Sequence, residues 1–160
     1  MNKFTLSSIL LVLFFTFQLI AQQQKGDSEL GINGYYFAST SGGSGVGNLS
    51  FKYGYFFTDN FEAGIGPNFT FSSSKTTVGS AAFFQYSFLS GDGTNVPYFG
   101  AQYFKNDFDS DDSGAAGATL GIKFYLKRNA AFDIGFSYLF PLDNAENGLI
   151  FIAAGLFFIL

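Results

Sequence analysis

The chain has no cysteine, no histidine and no tryptophan among its 160 residues, and only 12% of them are charged. Without cysteine there is no disulfide, no thiol nucleophile and no lipid attachment through an N-terminal cysteine. Without histidine the commonest metal ligand and the commonest general base at neutral pH are missing. Serine is plentiful but has no partner base. The sequence therefore speaks against an enzyme, and it assigns no catalytic residue, no cofactor and no metal site. A net charge of −4 leaves no basic patch, so nucleic acid is not an expected partner. Long hydrophobic runs are scarce too. Beyond residues 4–20 the longest is 149–160, short of the ~20 residues that a transmembrane helix needs.

Phenylalanine and glycine fill the space those absences leave, with 24 and 20 copies. Glycine is too irregularly spaced for collagen, and the apolar content is too high for disorder. The length fits one domain. At the N-terminus Asn2-Lys3 precedes the apolar run 4–20, and Ala21 precedes the polar Gln22-Gln23-Gln24. This reads as a secretory signal peptide, 1–21, cleaved after Ala21, with a retained anchor as the alternative. A short periplasmic segment, 22–28, then leads into a single β-domain, 29–160.

Residues 48–72 carry the clearest pattern. Leu49, Phe51, Tyr53, Tyr55 and Phe57 alternate with Asn48, Ser50, Lys52, Gly54 and Phe56. After Thr58-Asp59-Asn60 the alternation resumes, with Phe61, Ala63, Ile65, Pro67, Phe69 and Phe71 opposed to Glu62, Gly64, Gly66, Asn68, Thr70 and Ser72. A period of two over such a length means two β-strands joined by a tight turn. The same reading gives strands over 29–39, 78–88, 96–104, 115–126, 131–140 and 149–160, eight in all with 48–57 and 61–72. Pro97 sits harmlessly at the start of its strand. Pro67 lies mid-strand, where it must remove a ladder hydrogen bond or mark a bulge. The gaps 58–60 and 127–129 are tight, whereas 105–113 and 141–148 are longer, an asymmetry found between the two ends of transmembrane barrels.

A soluble barrel, lipocalin-like for example, would turn its apolar face inward. Here the polar-side positions are crowded with glycine at 64, 66, 100, 117, 121 and 135, which suits the narrow interior of eight strands. The opposite faces stay bulky for four to six successive positions. Hydrocarbon tolerates no unpaired backbone, so the sheet must close, strand one on strand eight. The expected fold is an all-β, eight-stranded antiparallel up-and-down transmembrane β-barrel. Aromatic girdles are expected from Tyr36, Phe37 and Phe140 at one end and Phe56, Phe57, Phe61 and Phe88 at the other.

Two clusters of charge stand out. If strands six and seven pair across the turn, Leu126 meets Ala130 and Lys123 meets Asp133 on the interior face. A lumenal ion pair between Lys123 and Asp133 follows, with Lys52, Glu62 and Glu29 in the same network, neutralising charge in a desolvated interior. Asp107, Asp109, Asp111 and Asp112 alternate like the start of a calcium loop, but Asp112 and Ala118 stand where its glycine and bidentate glutamate would be. A solvated outer loop that touches divalent cations is the expectation.

The segments 55–64 and 97–101, together with the C-terminal strand, are where the chain resembles the outer-membrane β-barrel superfamily of small eight-stranded proteins, the group of OmpX and the OmpA transmembrane domain. The resemblance spans nearly all of 29–160. It implies residence in the outer membrane of a Gram-negative bacterium, as a monomer among outer-membrane lipids and lipopolysaccharide. It also implies a C-terminal signal read by the barrel-assembly machinery, matched here by Gly155, Phe158 and Leu160. Ala153 and the terminal leucine depart from that pattern. Barrels of this size that are enzymes, such as lipid A deacylases and palmitoyltransferases, need the histidine this chain lacks. A structural, envelope-integrity role is expected. The alternative is a surface adhesin acting through its outer loops, and a narrow channel conflicts with a lumen this small.

Overall fold

The computed structural model describes residues 23–37, 45–89, 93–105, 107–108, 113–143 and 148–160. The expected leader, most of the loop 40–45, and Asp109, Asp111 and Asp112 lie outside the described residues.

The strands are β1 (Ser28–Phe37), β2 (Val46–Phe56), β3 (Phe61–Ser72), β4 (Thr76–Ser87), β5 (Asn95–Lys105), β6 (Ala115–Lys127), β7 (Ala130–Pro141) and β8 (Leu149–Ile159). Each pairs antiparallel with the next, and β1 pairs with β8, so the sheet closes in sequence order. Strands of 10 to 13 residues, at ~3.3 Å per residue and a tilt of ~40°, rise about 25–33 Å, enough for the apolar band of a bilayer.

Side-chain direction follows the alternation read from the sequence. The outward positions carry the large apolar residues: Ile65 and Ile152 are 66% exposed and Leu120 is 60% exposed. In a water-soluble barrel such residues would be the core. Here they form the outer wall, the polarity of a barrel that meets hydrocarbon. The lower girdle spans four strands in two groups of touching rings, Tyr55, Phe57, Phe61 and Phe84, then Tyr86, Phe88 and Phe99, with ring centroids 5.2–6.5 Å apart within the contacting pairs. Phe56 is not part of it. Its parity turns it into the lumen, where it is fully buried. The side chain of Phe37 lies outside the described residues.

Inside, apolar side chains gather at both ends. At the end that holds the tight turns, Val96, Tyr125, Ala131 and Phe157 pack together, with Leu89 and Ile159 against them. At the loop end, Ala81, Phe104, Leu139, Phe151 and Ala153 form a second cluster, joined by Tyr35 and Ala115. Buried polar residues occupy the rest of the lumen, including Glu29, Ser50, Glu62, Gln85, Gln102, Lys123, Asp133 and Ser137.

Two local details differ from simple alternation. Lys123 does stand opposite Asp133, but Lys127, not Leu126, pairs with Ala130, because a bulge lies between Tyr125 and Lys127. The extra residue lets a two-residue Arg128-Asn129 turn close the hairpin, and Leu126 faces outward, as its shared parity with Leu120 requires. Pro67 causes no bulge. The β2–β3 register is the same above and below it, yet the ladder skips from Ser50 opposite Asn68 to Tyr53 opposite Ile65. The missing proline N–H removes rungs from the wall and leaves the register intact.

Candidate functional site: charged residues inside the barrel

Lys123 and Asp133 are carried by neighbouring strands at one level, and both are buried in the lumen. The ion pair expected between them is not formed. Lys123 Nζ donates instead to both carboxylate oxygens of Glu29 on β1, at 2.6 and 2.7 Å, and to Glu62 Oε2 on β3, at 3.3 Å. Rung neighbours have Cβ atoms only ~5 Å apart, too close for an extended lysine to finish there. The lumen is narrow enough for its ammonium to reach the far wall, where two carboxylates wait. Asp133 Oδ2 accepts a hydrogen bond from the Tyr98 hydroxyl at 3.1 Å.

Glycine makes both arrangements fit. The Tyr98 ring lies across Gly121 and Gly135, occupying the space any Cβ there would need, and the Glu62 carboxylate fills the place of a side chain at Gly54. Gln85 Nε2 donates to Glu62 Oε2 and to Ser87 Oγ, both at 3.4 Å. Glu62 Oε1 and Asp133 Oδ1 have no hydrogen-bond partner among the described residues.

Lys52 points into the same space but is in no ion pair among the described residues. Its ammonium stands 5.0 Å from the centre of the Phe83 ring and 6.0 Å from that of Phe157. Lys123 Nζ lies 4.8 Å from the Phe157 ring and 5.8 Å from that of Phe56. Phe157 thus presents its ring to two cations, which its quadrupole attracts when water is excluded. Glu29, Glu62 and Asp133 are the anions around Lys52, giving the interior three carboxylates against two ammonium groups among the described residues.

Of the five residues named from the sequence, Glu29, Glu62 and Lys123 are in contact, while Lys52 and Asp133 line the same lumen with other partners. Tyr98 and Gln85 belong to the network as well; their inward parity was visible, their partners were not. Gln23 carried no signal at all. It is buried beneath the barrel mouth, accepting from the Tyr125 hydroxyl at 2.9 Å and donating to the Asp59 carbonyl at 3.2 Å. The Lys25 and Gly26 amides hold the same strap, donating to Asp59 Oδ1 and the Phe56 carbonyl.

At the opposite end Asp107 accepts from Lys75 Nζ at 2.6 Å. No cluster of three or more acidic residues suited to a metal occurs among the described residues. Gly155 faces the lumen opposite Asn33 and Asp133, while Phe158 and Leu160 point outward.

No protein-family model matches the chain, and no curated protein matches it. Solved structures do. The N-terminal β-barrel domain of Pseudomonas aeruginosa OprF is similar over 86% of this chain and 100% of its own, with a TM-score of 0.63 and 19% identity. A structure from the de novo design of transmembrane β-barrels is similar over 87% of this chain and 99% of its own, with a TM-score of 0.57 and 15% identity. At such identities what is shared is architecture: the chain has the fold of the small eight-stranded transmembrane barrels.

Proposed function

We propose that this chain is an integral outer-membrane β-barrel of a Gram-negative envelope, with a closed lumen and a structural, non-enzymatic role. The observation that carries this reading is the inverted polarity of the barrel. Its wall is apolar on the outside, and its buried charged side chains, Lys123 with Glu29 and Glu62 among them, face the interior. A wall of exposed phenylalanine, isoleucine and leucine is stable only against hydrocarbon.

The closed lumen is supported by the side chains that fill it. Apolar clusters occupy both ends, and Lys123 bridges β1 and β3 across the interior. An ion would have to part both clusters and leave the carboxylates it passes. The outward Phe158 and Leu160, two residues apart at the end of the last strand and just beyond it, with Gly155 before them, offer the apolar face that a barrel-assembly machine would bind. A monomer in contact with outer-membrane lipids and lipopolysaccharide fits this reading, since the closed sheet leaves no edge for a partner strand.

Envelope fractionation combined with planar-bilayer recording tests both parts. The expected result is a heat-modifiable band in the outer-membrane fraction and a flat current trace. A soluble chain would overturn the membrane reading, and stable nanosiemens-scale steps would overturn the closed lumen.

A further inference from the structure

On the outer wall, β3, β4 and β5 surround a depression of about 470 Å³ whose lining is almost wholly apolar. It exists because small residues replace bulky ones at outward positions. Pro67, Ser80 and Ala82 form its floor, and Ile65 and Tyr103 its sides. Phe108 also lines it, and its backbone N–H donates to the Val78 carbonyl at 3.1 Å. Lys105 stands opposite Ser80 on the same outward face, one step beyond Tyr103 toward the loops. Among the described residues Lys105 is in no ion pair, while nearby Lys75 is engaged by Asp107.

We propose that this trough is a fixed lipid site, holding one acyl chain of a phosphate-bearing lipid whose headgroup phosphate rests on Lys105. The inference relies on the barrel lying in a bilayer. Apolar transfer gives no preference there, since the surrounding lipid tails are as apolar as the wall. Selectivity has to come from packing and charge. A recess left empty forfeits the contacts of its lining atoms, and a chain seated in it restores them. A lysine on the rung of Ser80, which lines the trough, favours an anionic headgroup over a neutral one. Elsewhere on the wall, outward rings such as Phe84, Phe99 and Phe136 project into the lipid.

The test is native mass spectrometry of the full chain in detergent micelles, titrated separately with phosphatidic acid and with a diacylglycerol of the same acyl chains. The expected result is a single retained phosphatidic acid, with diacylglycerol held about fivefold less well. Ala82→Phe, which fills the trough from a position facing lipid, lowers retention of both by about tenfold or more. Lys105→Gln removes the preference between them and leaves diacylglycerol retention unchanged. Equal retention by the original chain and Ala82→Phe would overturn the site, as would no retention by a chain whose heat-modifiable mobility proves the barrel intact. Retention equally displaced by added inorganic phosphate and by detergent would mean an adventitious additive only, and would overturn it too. If the barrel fails to enter bilayers at all, the membrane reading falls first and the lipid site with it.

Discussion

The carboxylate of Glu29, in the first strand, grips the ammonium of Lys123, in the sixth, with both of its oxygens within 2.7 Å. The two residues are 94 apart in the chain. Their contact spans the lumen and does not follow the wall, so it ties together strands that share no ladder. Removing Lys123 leaves Glu29 and Glu62 facing each other in a desolvated interior. Lys123→Met is therefore expected to destabilise the barrel by about 3–5 kcal/mol, measured by urea unfolding in lipid vesicles. Glu29→Gln in the same background is expected to recover part of that loss. A Lys123→Met barrel as stable as the original would mean that the pair is dispensable.

Tyr98 and Asp133 form a second, separable contact. In Tyr98→Phe the ring still lies across Gly121 and Gly135, but Asp133 loses its hydroxyl donor. The expected loss is about 1–3 kcal/mol, the desolvation penalty of a buried acceptor left without a partner. Gly121→Val is expected to be worse, because its branched side chain would occupy the space of the Tyr98 ring. Both are read from the same unfolding curves, and an ordering of Tyr98→Phe below Gly121→Val would contradict the packing described.

The outer wall provides a control that separates membrane from water. Phe136 is an outward residue near the middle of β7 and is 46% exposed. In a bilayer, Phe136→Arg is expected to destabilise the barrel by about 2–4 kcal/mol. A soluble protein would accept the same change at an exposed site with an effect near zero. Refolding yield into vesicles distinguishes the two.

The strap beneath the barrel depends on Gln23. Gln23→Ala removes one acceptor and one donor, exposing the Tyr125 hydroxyl to the barrel mouth. Faster amide exchange at Lys25 and Gly26 is expected, with little change in the strands. Uniform acceleration throughout the sheet would mean instead that the strap supports the whole fold.

Much of this architecture could be read directly from the residues, since a period of two sustained over ten positions specifies strand, face and register together. Every strand begins and ends within two residues of the bounds expected from the alternation. The contacts made across the lumen were less legible. Parity says that Lys123 points inward, but not which of several inward carboxylates its flexible stem will reach. Phe56 is instructive in another way. As an aromatic next to a turn it suggested the girdle, yet its even-numbered place in β2 put it inside, and the pleat overrode the composition. The bulge at Leu126 had no marker, because nothing in Tyr125-Leu126-Lys127 distinguishes a regular rung from a skipped one. Gln23 lay in a polar tract whose burial depended on a mouth formed only when all eight strands had closed.

The proline opposite Phe51 has one more effect. A cylinder has no free margin from which to fray, so any parting of its staves must start within the wall. The ladder between β2 and β3 is interrupted at Pro67 and Gly66, with rungs on either side of the gap. Breathing of this seam is expected to begin there, and deuterium should enter the neighbouring amides earlier than those in the continuous ladder of β7 and β8.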